Sequence, residues 1–153
     1  MPTTFLRLVC AVVLLLPAAV AAKPDPVTWS AAVRERQADG TIVLEVAARI
    51  ERGWYIYGMR QPEDGPAPLR FRAAVGSGAA VGPVRTPLPR VSYDRGFRAR
   101  VGKHYDTPSF FVPVRLSRTA SKVAIDVRYQ ACNDEICLPP RTVAVQTDLP
   151  AGS

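Results

Sequence analysis

Apolar side chains recur at every second position in several short segments of this 153-residue chain. This alternation is typical of β-strands that bury one face, whereas no stretch sustains the 3.6-residue period of an amphipathic helix. Turn sequences such as Asp39-Gly40 and many of the fifteen prolines separate the segments. We predict an all-β chain, an antiparallel β-sandwich with strands over residues 27–33, 42–50, 54–57, 69–75, 109–116, 123–129 and 142–147.

Two places depart from this regular pattern. Pro113 has no N–H for a β-ladder, so it predicts an edge strand or a bulge within residues 109–116. Residues 86–103 show no convincing strand, and long loops in compact domains are often functional. At the end of this stretch we expect side chains in contact with solvent: the basic group of Arg98, Arg100 and Lys103, followed by His104 at the surface.

The first 22 residues have the composition of a secretory signal peptide. Arg7 precedes an apolar run over residues 8–16, and small residues near position 22 fit a cleavage site. The run is about half of the roughly 20 residues that a membrane-spanning helix needs. Cys10 does not follow the run, so we do not expect a lipid anchor, and an uncleaved membrane anchor is the alternative. We predict a signal peptide over residues 1–22 and one periplasmic domain over residues 23–153.

The net charge of +7 at pH 7 does not by itself indicate nucleic-acid binding. The arginines are scattered among the predicted strands instead of forming a run, and no nucleic-acid motif is present. We interpret the charge as a contribution to solubility, with some steering toward acidic partners.

Cleavage of the leader would leave two cysteines, Cys132 and Cys137, with four residues between them. Asn133-Asp134 is a good turn sequence, so the chain can reverse and bring the sulfurs together. A cysteine pair in an exported domain is more often a disulfide than a metal site. Two thiolates and His104, which is distant in sequence, are too few for a closed zinc site, so we expect no metal and no cofactor.

The spacing of the cysteines does not by itself distinguish a redox-active disulfide from a structural one. A disulfide that closes a ring of six residues contributes about 2 kcal/mol, compared with roughly 3 kcal/mol for fifteen residues. The pair therefore fits a redox-active disulfide, and it also fits a structural disulfide in a non-enzymatic β-sandwich adaptor. An exported metal-handling or chaperone module is a third possibility, although the sequence offers few ligands for it.

Charged residues close to the pair act in opposite directions. Asp134 and Glu135 lie between the cysteines and raise the thiol pKa, whereas Arg128 and Arg141 flank the loop and lower it. If the acidic residues dominate, the disulfide resists casual attack. We hypothesise that the pair exchanges readily only inside a docked complex.

Four stretches of this sequence resemble the N-terminal periplasmic domain of the thiol:disulfide interchange protein DsbD. The most specific is residues 127–140, where a strand ends in Tyr-Gln-Ala-Cys and the loop closes on Cys-Leu-Pro-Pro. Residues 53–57 (GWYIY), 93–97 (YDRGF) and 110–114 (FFVPV) are similar to other family segments in the same order. The likeness covers about residues 43–145.

The resemblance implies an immunoglobulin-like fold of about seven to nine strands. It also implies thiol:disulfide oxidoreductase activity, in which the domain takes electrons from a thioredoxin-fold donor and passes them to periplasmic acceptors such as disulfide isomerases and cytochrome c maturation reductases. Carried over by position, Cys132 and Cys137 form the redox pair, and Cys137 makes the mixed disulfide with partners. The resemblance places four further residues around the pair: Phe97 as an aromatic cap, Asp94 beside it, and Tyr57 and Gln130 near the site.

Two departures from the family pattern affect these expectations. The cysteine spacer has four residues, whereas some members have five, so the loop geometry is expected to differ. No membrane domain and no thioredoxin-like domain accompany the β-rich region. We therefore expect either a free-standing, monomeric relay module that separate proteins such as a membrane electron transporter serve, or a domain that has been separated from its native redox circuit.

Overall fold

The structure is a computed structural model, and it describes residues 25–117 and 120–150. The signal peptide predicted for residues 1–22 lies outside these residues. Within them, no helix is long and apolar enough to cross a membrane.

In the part of the chain that the structure describes, eleven strands form three sheets, and every strand pair is antiparallel. The sheet orders are β1-β2-β8-β5, β10-β3-β7-β6 and β11-β9-β4. The predicted immunoglobulin-like antiparallel β-sandwich is confirmed, and the strand number exceeds seven to nine because several very short strands are counted. The strands are β1 Val27–Arg36, β2 Ile42–Ile50, β3 Tyr55–Tyr57, β4 Arg70–Ala73, β5 Ala79–Val81, β6 Arg90–Asp94, β7 Ala99–His104, β8 Ser109–Leu116, β9 Lys122–Tyr129, β10 Ala131–Cys132 and β11 Arg141–Asp148.

The main core is built from the alternating residues that the sequence pattern singles out. Strand β2 buries its apolar stripe, and its neighbour β8 and strand β9 of another sheet bury theirs in the same cluster. Aromatic rings fill the centre, where Trp29 lies 5.3 Å from Tyr129 and Phe71 lies 5.3 Å from Phe110, measured between ring centroids. Burying these apolar surfaces is the main force that holds the sheets together.

Pro113 lies in an internal strand, so the prediction of an edge strand is wrong, and the irregular pairing beside Pro113 agrees with the alternative prediction of a bulge. Strand β8 pairs with β2 on one side and with β5 on the other. Pro113 falls between the pair Val81↔Val114 and the isolated bridge Arg85↔Phe111, where the neighbouring chain is irregular. The missing N–H is tolerated because the ladder is interrupted at this position.

Residues 86–103 are not a structureless loop, because β6 and the start of β7 form a hairpin there. Five residue pairs join the two strands, from Arg90↔Lys103 to Asp94↔Ala99. Strand β6 lies at the sheet edge, and its first four residues are exposed. An edge strand with little buried surface shows no apolar stripe, which is why the alternation pattern did not reveal it.

Two residues that we expected at the surface are buried. Lys103 is 8% exposed, although Arg98 and Arg100 are solvent-exposed as predicted. His104 is 4% exposed and packs edge-on against Phe110, with 5.3 Å between the ring centroids. Burial lowers the pKa of His104. The rings of Tyr55 and Tyr57 on β3 cover the Lys103 ammonium, and Phe110 on β8 covers His104.

Candidate active site

Cys132 and Cys137 are joined by a disulfide in a tight loop after β10. The Asn133 N–H donates to the carbonyl of Ile136 at 2.9 Å, and the Leu138 N–H donates to the carbonyl of Ala131 at 2.9 Å. The Asn133 side-chain oxygen accepts two further backbone N–H groups at 2.9 and 2.7 Å. The turn chemistry predicted for Asn133 therefore brings the sulfurs together.

The two sulfurs lie in different environments. Cys132 is fully buried in a small cluster with Tyr55, Tyr57 and Val101. Cys137, on the returning side of the loop, is exposed. An incoming thiolate therefore has access to the pair from the Cys137 side, and Cys132 is placed to be the sulfur that leaves.

Phe97 and Asp94 belong to the turn of the β6–β7 hairpin. Phe97 is partly buried against the cluster that contains Cys132, and its ring meets the Tyr57 ring edge-on, with 5.8 Å between centroids. The Asp94 Oδ1 atom accepts the N–H groups of Gly96 at 3.0 Å and Phe97 at 3.4 Å. The carboxylate thus fixes the turn that carries the aromatic ring.

The Tyr57 hydroxyl stands between this turn and the disulfide. It donates to the Asp94 Oδ2 atom at 3.1 Å, and its oxygen lies 3.9 Å from the Cys137 Sγ atom. Burial, together with the neighbouring Tyr55 and Asp94, raises the pKa of the Tyr57 hydroxyl. Tyr57 therefore keeps its proton and is a hydrogen-bond donor at neutral pH.

Gln130 anchors the backbone next to the pair. Its Nε2 atom donates to the carbonyl of Leu138 at 3.3 Å, and its Oε1 atom accepts the Ala67 N–H at 3.0 Å. This side chain ties the exit of the cysteine loop to the segment that precedes β4.

Lys103 belongs to this site, and the sequence analysis missed it. Its ammonium lies 3.0 Å from the Asp94 Oδ2 atom and 4.1 Å from the centroid of the Tyr55 ring. The signal that was available is its position two residues after Val101, on the buried side of a strand.

The ion pair controls the charge of Asp94. Burial by itself raises the pKa of the Asp94 carboxyl, but hydrogen bonds from Lys103 and Tyr57 and the Lys103 charge outweigh it, so the pKa is lowered. The same pair raises the pKa of Lys103 in spite of its burial, which acts in the opposite direction. Both groups are therefore charged at neutral pH.

An open cavity of about 450 Å³ lies beside the exposed sulfur. The hairpin turn forms one wall and the cysteine loop forms the other. Acidic and basic side chains line the cavity, among them Asp94, Arg95, Lys103, Asp134 and Glu135. Across residues 25–117 and 120–150, no group of three or more His, Cys, Asp or Glu side chains is placed to hold a metal ion.

The solved structures that resemble this chain include three N-terminal domains from two organisms. The reduced N-terminal domain of DsbD from Neisseria meningitidis is 17% identical over 72% of this chain and 78% of its own, with a TM-score of 0.50. The complex of the DsbD and PilB N-terminal domains from the same organism gives 17% identity, coverage of 90% and 89%, and a TM-score of 0.50. The N-terminal periplasmic domain of ScsB from Proteus mirabilis gives 15%, coverage of 80% and 45%, and 0.53.

At these identities the structural likeness concerns the fold alone. No curated protein matches the chain. The family model described as thiol:disulfide interchange protein DsbD, N-terminal, matches residues 21–149, which include every described strand and the pair Cys132 and Cys137. Together with the disulfide, this match assigns the chain to thiol–disulfide exchange in general. The chain belongs to the family of DsbD N-terminal domains.

Proposed function

We propose that residues 23–153 form a periplasmic thiol:disulfide oxidoreductase module. It relays electrons through Cys132 and Cys137 from a thioredoxin-like donor to acceptors that contain disulfides. The observation that carries this proposal is a disulfide in a DsbD-family domain with Cys137 exposed and Cys132 buried. A signal peptide over residues 1–22 would deliver the domain to the periplasm.

The proposed reaction transfers two electrons in two exchange steps. A donor thiolate attacks the Cys137 Sγ atom, the Cys132–Cys137 bond breaks, and Cys132 leaves as a thiolate that takes up a proton. The second thiolate of the donor then attacks the donor sulfur in the mixed disulfide, and Cys137 is released and protonated. The donor becomes a disulfide and the pair becomes a dithiol. The reverse sequence passes the electrons to an acceptor disulfide.

The residues around the pair have distinct proposed roles. Phe97 acts as a cap that limits casual access, and Asp94 holds the turn of that cap. Tyr57 is the donor closest to the sulfur that reacts with partners. Gln130 keeps the backbone after Cys137 in place.

Partners with a thioredoxin fold are proposed for both steps because the described residues include no helix whose N-terminus could activate a thiolate. The partner would bring the activated cysteine, and this domain would act as a passive carrier. A separate membrane electron transporter is proposed to supply the donor. The solved complex of a DsbD N-terminal domain with a PilB N-terminal domain supports the proposal that this domain acts by binding directly to a partner protein.

Trapping of a mixed disulfide tests the proposal. The Cys132→Ala variant is mixed with a thioredoxin-fold protein that lacks its second cysteine. The first cysteine of that protein is joined to an aromatic thiol by a disulfide, and the Cys137 thiolate displaces this thiol. We expect a covalent complex through Cys137, visible on a non-reducing gel and reversed by dithiothreitol. The Cys137→Ala variant is the matched control and is expected to give little complex, because Cys132 is buried. Failure to trap through either sulfur with several such partners would refute the relay.

A further inference from the structure

A buried lysine lies behind the tyrosine and the aspartate of the site. Of the residues that the structure describes, Lys103 is the only lysine or arginine that is buried. Its ammonium contacts the Asp94 carboxylate and the faces of two aromatic rings, at 4.1 Å from the Tyr55 centroid and 6.0 Å from the Tyr57 centroid. Desolvating a charge is costly, and perturbed charges of this kind cluster at functional sites.

The Tyr57 hydroxyl has one proton and two neighbours that can accept it. While the disulfide is closed, that proton goes to the Asp94 Oδ2 atom at 3.1 Å. When the donor resolves the mixed disulfide, negative charge develops on the released Cys137 sulfur, which lies 3.9 Å from the same hydroxyl in the closed state. A thiolate is then a strong acceptor for the Tyr57 O–H group.

Asp94 would lose a donor if Tyr57 turned toward the sulfur. Its Oδ2 atom would keep the Lys103 ammonium at 3.0 Å, and its Oδ1 atom would keep the two backbone N–H groups of the turn. The buried carboxylate therefore stays paired in either position of the hydroxyl. Without Lys103, the same movement would leave Oδ2 without a donor, which is costly for a buried charge.

We propose that Lys103 is a positioning residue for thiol–disulfide exchange, because it holds Asp94 as a carboxylate and thereby frees the Tyr57 hydroxyl to donate to the Cys137 sulfur. This inference rests on the proposed function and deepens it. No proton leaves Tyr57 in this step, and the hydroxyl only changes its acceptor. The Lys103 charge also favours a thiolate nearby through its field.

Other charged groups near the site are in contact with solvent. Arg90 is paired with Lys103 across the hairpin, but it is exposed and its guanidinium lies over the Tyr105 ring at 5.4 Å. Arg95, Asp134 and Glu135 line the cavity and are exposed. Solvent and salt screen such charges strongly. Lys103 is therefore the cation whose removal is expected to matter most.

The test measures the alkylation of Cys137 by iodoacetamide as a function of pH in the Cys132→Ala background. We expect K103M to shift the midpoint upward, so that the alkylation rate at pH 7 falls about tenfold, the change that one pKa unit produces. K103R restores the cation and is expected to restore most of the rate. K122M removes an exposed lysine paired with Asp148 at 3.4 Å, and it is expected to leave the midpoint unchanged.

An unchanged midpoint in K103M, or K103R behaving like K103M, would overturn the proposal. If K103M loses its circular dichroism spectrum, K103Q is measured in the same way, and a midpoint equal to that of the parent overturns the proposal. Alkylation requires no protein partner. A missing mixed disulfide with an intact Lys103 effect would therefore refute the relay and not the role of Lys103.

Discussion

At the scale of single residues, the Tyr57 hydroxyl is the group whose removal bears most directly on the chemistry. Tyr57→Phe keeps the ring, which packs edge-on against Tyr55 and Phe97, and deletes only the O–H group. The Cys137 thiolate released from the mixed disulfide then loses a hydrogen bond with a net value of about 1 kcal/mol, so we expect resolution of the mixed disulfide with a thioredoxin-fold partner to slow about fivefold. Rapid quenching with acid and gel analysis of the mixed disulfide measures this rate.

Tyr129→Phe is the matched control for this prediction. Tyr129 is also a buried tyrosine that donates to a carboxylate, that of Asp25, but it belongs to the main core and not to the cluster with Cys132. We expect this variant to lose stability without a change in exchange rate. Equal exchange rates in Tyr57→Phe and the parent would contradict the role proposed for the hydroxyl.

The residues of the site differ in how far the sequence alone predicts them. The disulfide follows from local chemistry, because Asn133 closes a short turn between the two cysteines. The contact of Lys103 with Asp94 and Tyr55 depends on the order β3-β7-β6, which brings three strands together. A lysine close to other basic residues is normally solvated, so the basic neighbours of Lys103 outweigh the local signal of its spacing from Val101.

At the scale of elements, strands are predictable to the extent that they bury one face. Strands β2 and β8 were predicted over the same residues that the structure gives, because each contributes a stripe of side chains to the main core. Strand β6 was missed because Val91 and Tyr93 are 55% and 59% exposed and the strand borders solvent. Its position is set by pairing with β7, a non-local interaction that the pattern of one segment does not encode.

The β6–β7 hairpin is the element that we expect to control access to the disulfide. Phe97→Ala removes the ring that packs on Tyr57 and on the cluster with Cys132. We expect dithiothreitol to reduce the disulfide several-fold faster in this variant, because the thiol reaches the sulfurs more easily. Stopped-flow measurement of reduction under pseudo-first-order conditions gives the rate. The loss of stability should stay below the 3–5 kcal/mol that is usual for a fully buried phenylalanine.

Phe111→Ala provides the comparison for an effect of packing alone. Phe111 is a half-buried phenylalanine on β8, where the Arg85 guanidinium lies 5.3 Å from its ring centroid. Its truncation is expected to lower stability and to leave the reduction rate unchanged. If Phe97→Ala is reduced no faster than the parent, the hairpin does not shield the pair from small thiols.

At the scale of the whole molecule, the fold keeps its redox site apart from its main source of stability. The large cluster of buried apolar residues draws on β2, β8 and β9, whereas the cluster with Cys132 contains Tyr55, Tyr57 and Val101. The disulfide joins residues that are five positions apart and links no distant strands. The sheets are therefore held by packing that does not involve the sulfurs.

This separation leads to a prediction about the reduced protein. Reduction opens a ring of six residues, so the free energy of unfolding should fall by about 2 kcal/mol while the circular dichroism spectrum stays the same. Urea titration of the oxidised and reduced forms measures both quantities. Ile125→Ala gives the scale for a true core defect, because deleting a fully buried isoleucine side chain costs about 2–5 kcal/mol.

A structural disulfide in a binding adaptor requires the opposite result, because such a domain would unfold when the bond is reduced. A carrier has to pass repeatedly between disulfide and dithiol, and each form must still present the same docking surface to its partners. The backbone around the pair meets this condition through contacts that survive reduction. The Leu138 N–H still has the carbonyl of Ala131, and the Gln130 side chain still joins the loop exit to the segment before β4. Collapse of the sheets on reduction would therefore contradict the relay and favour the adaptor.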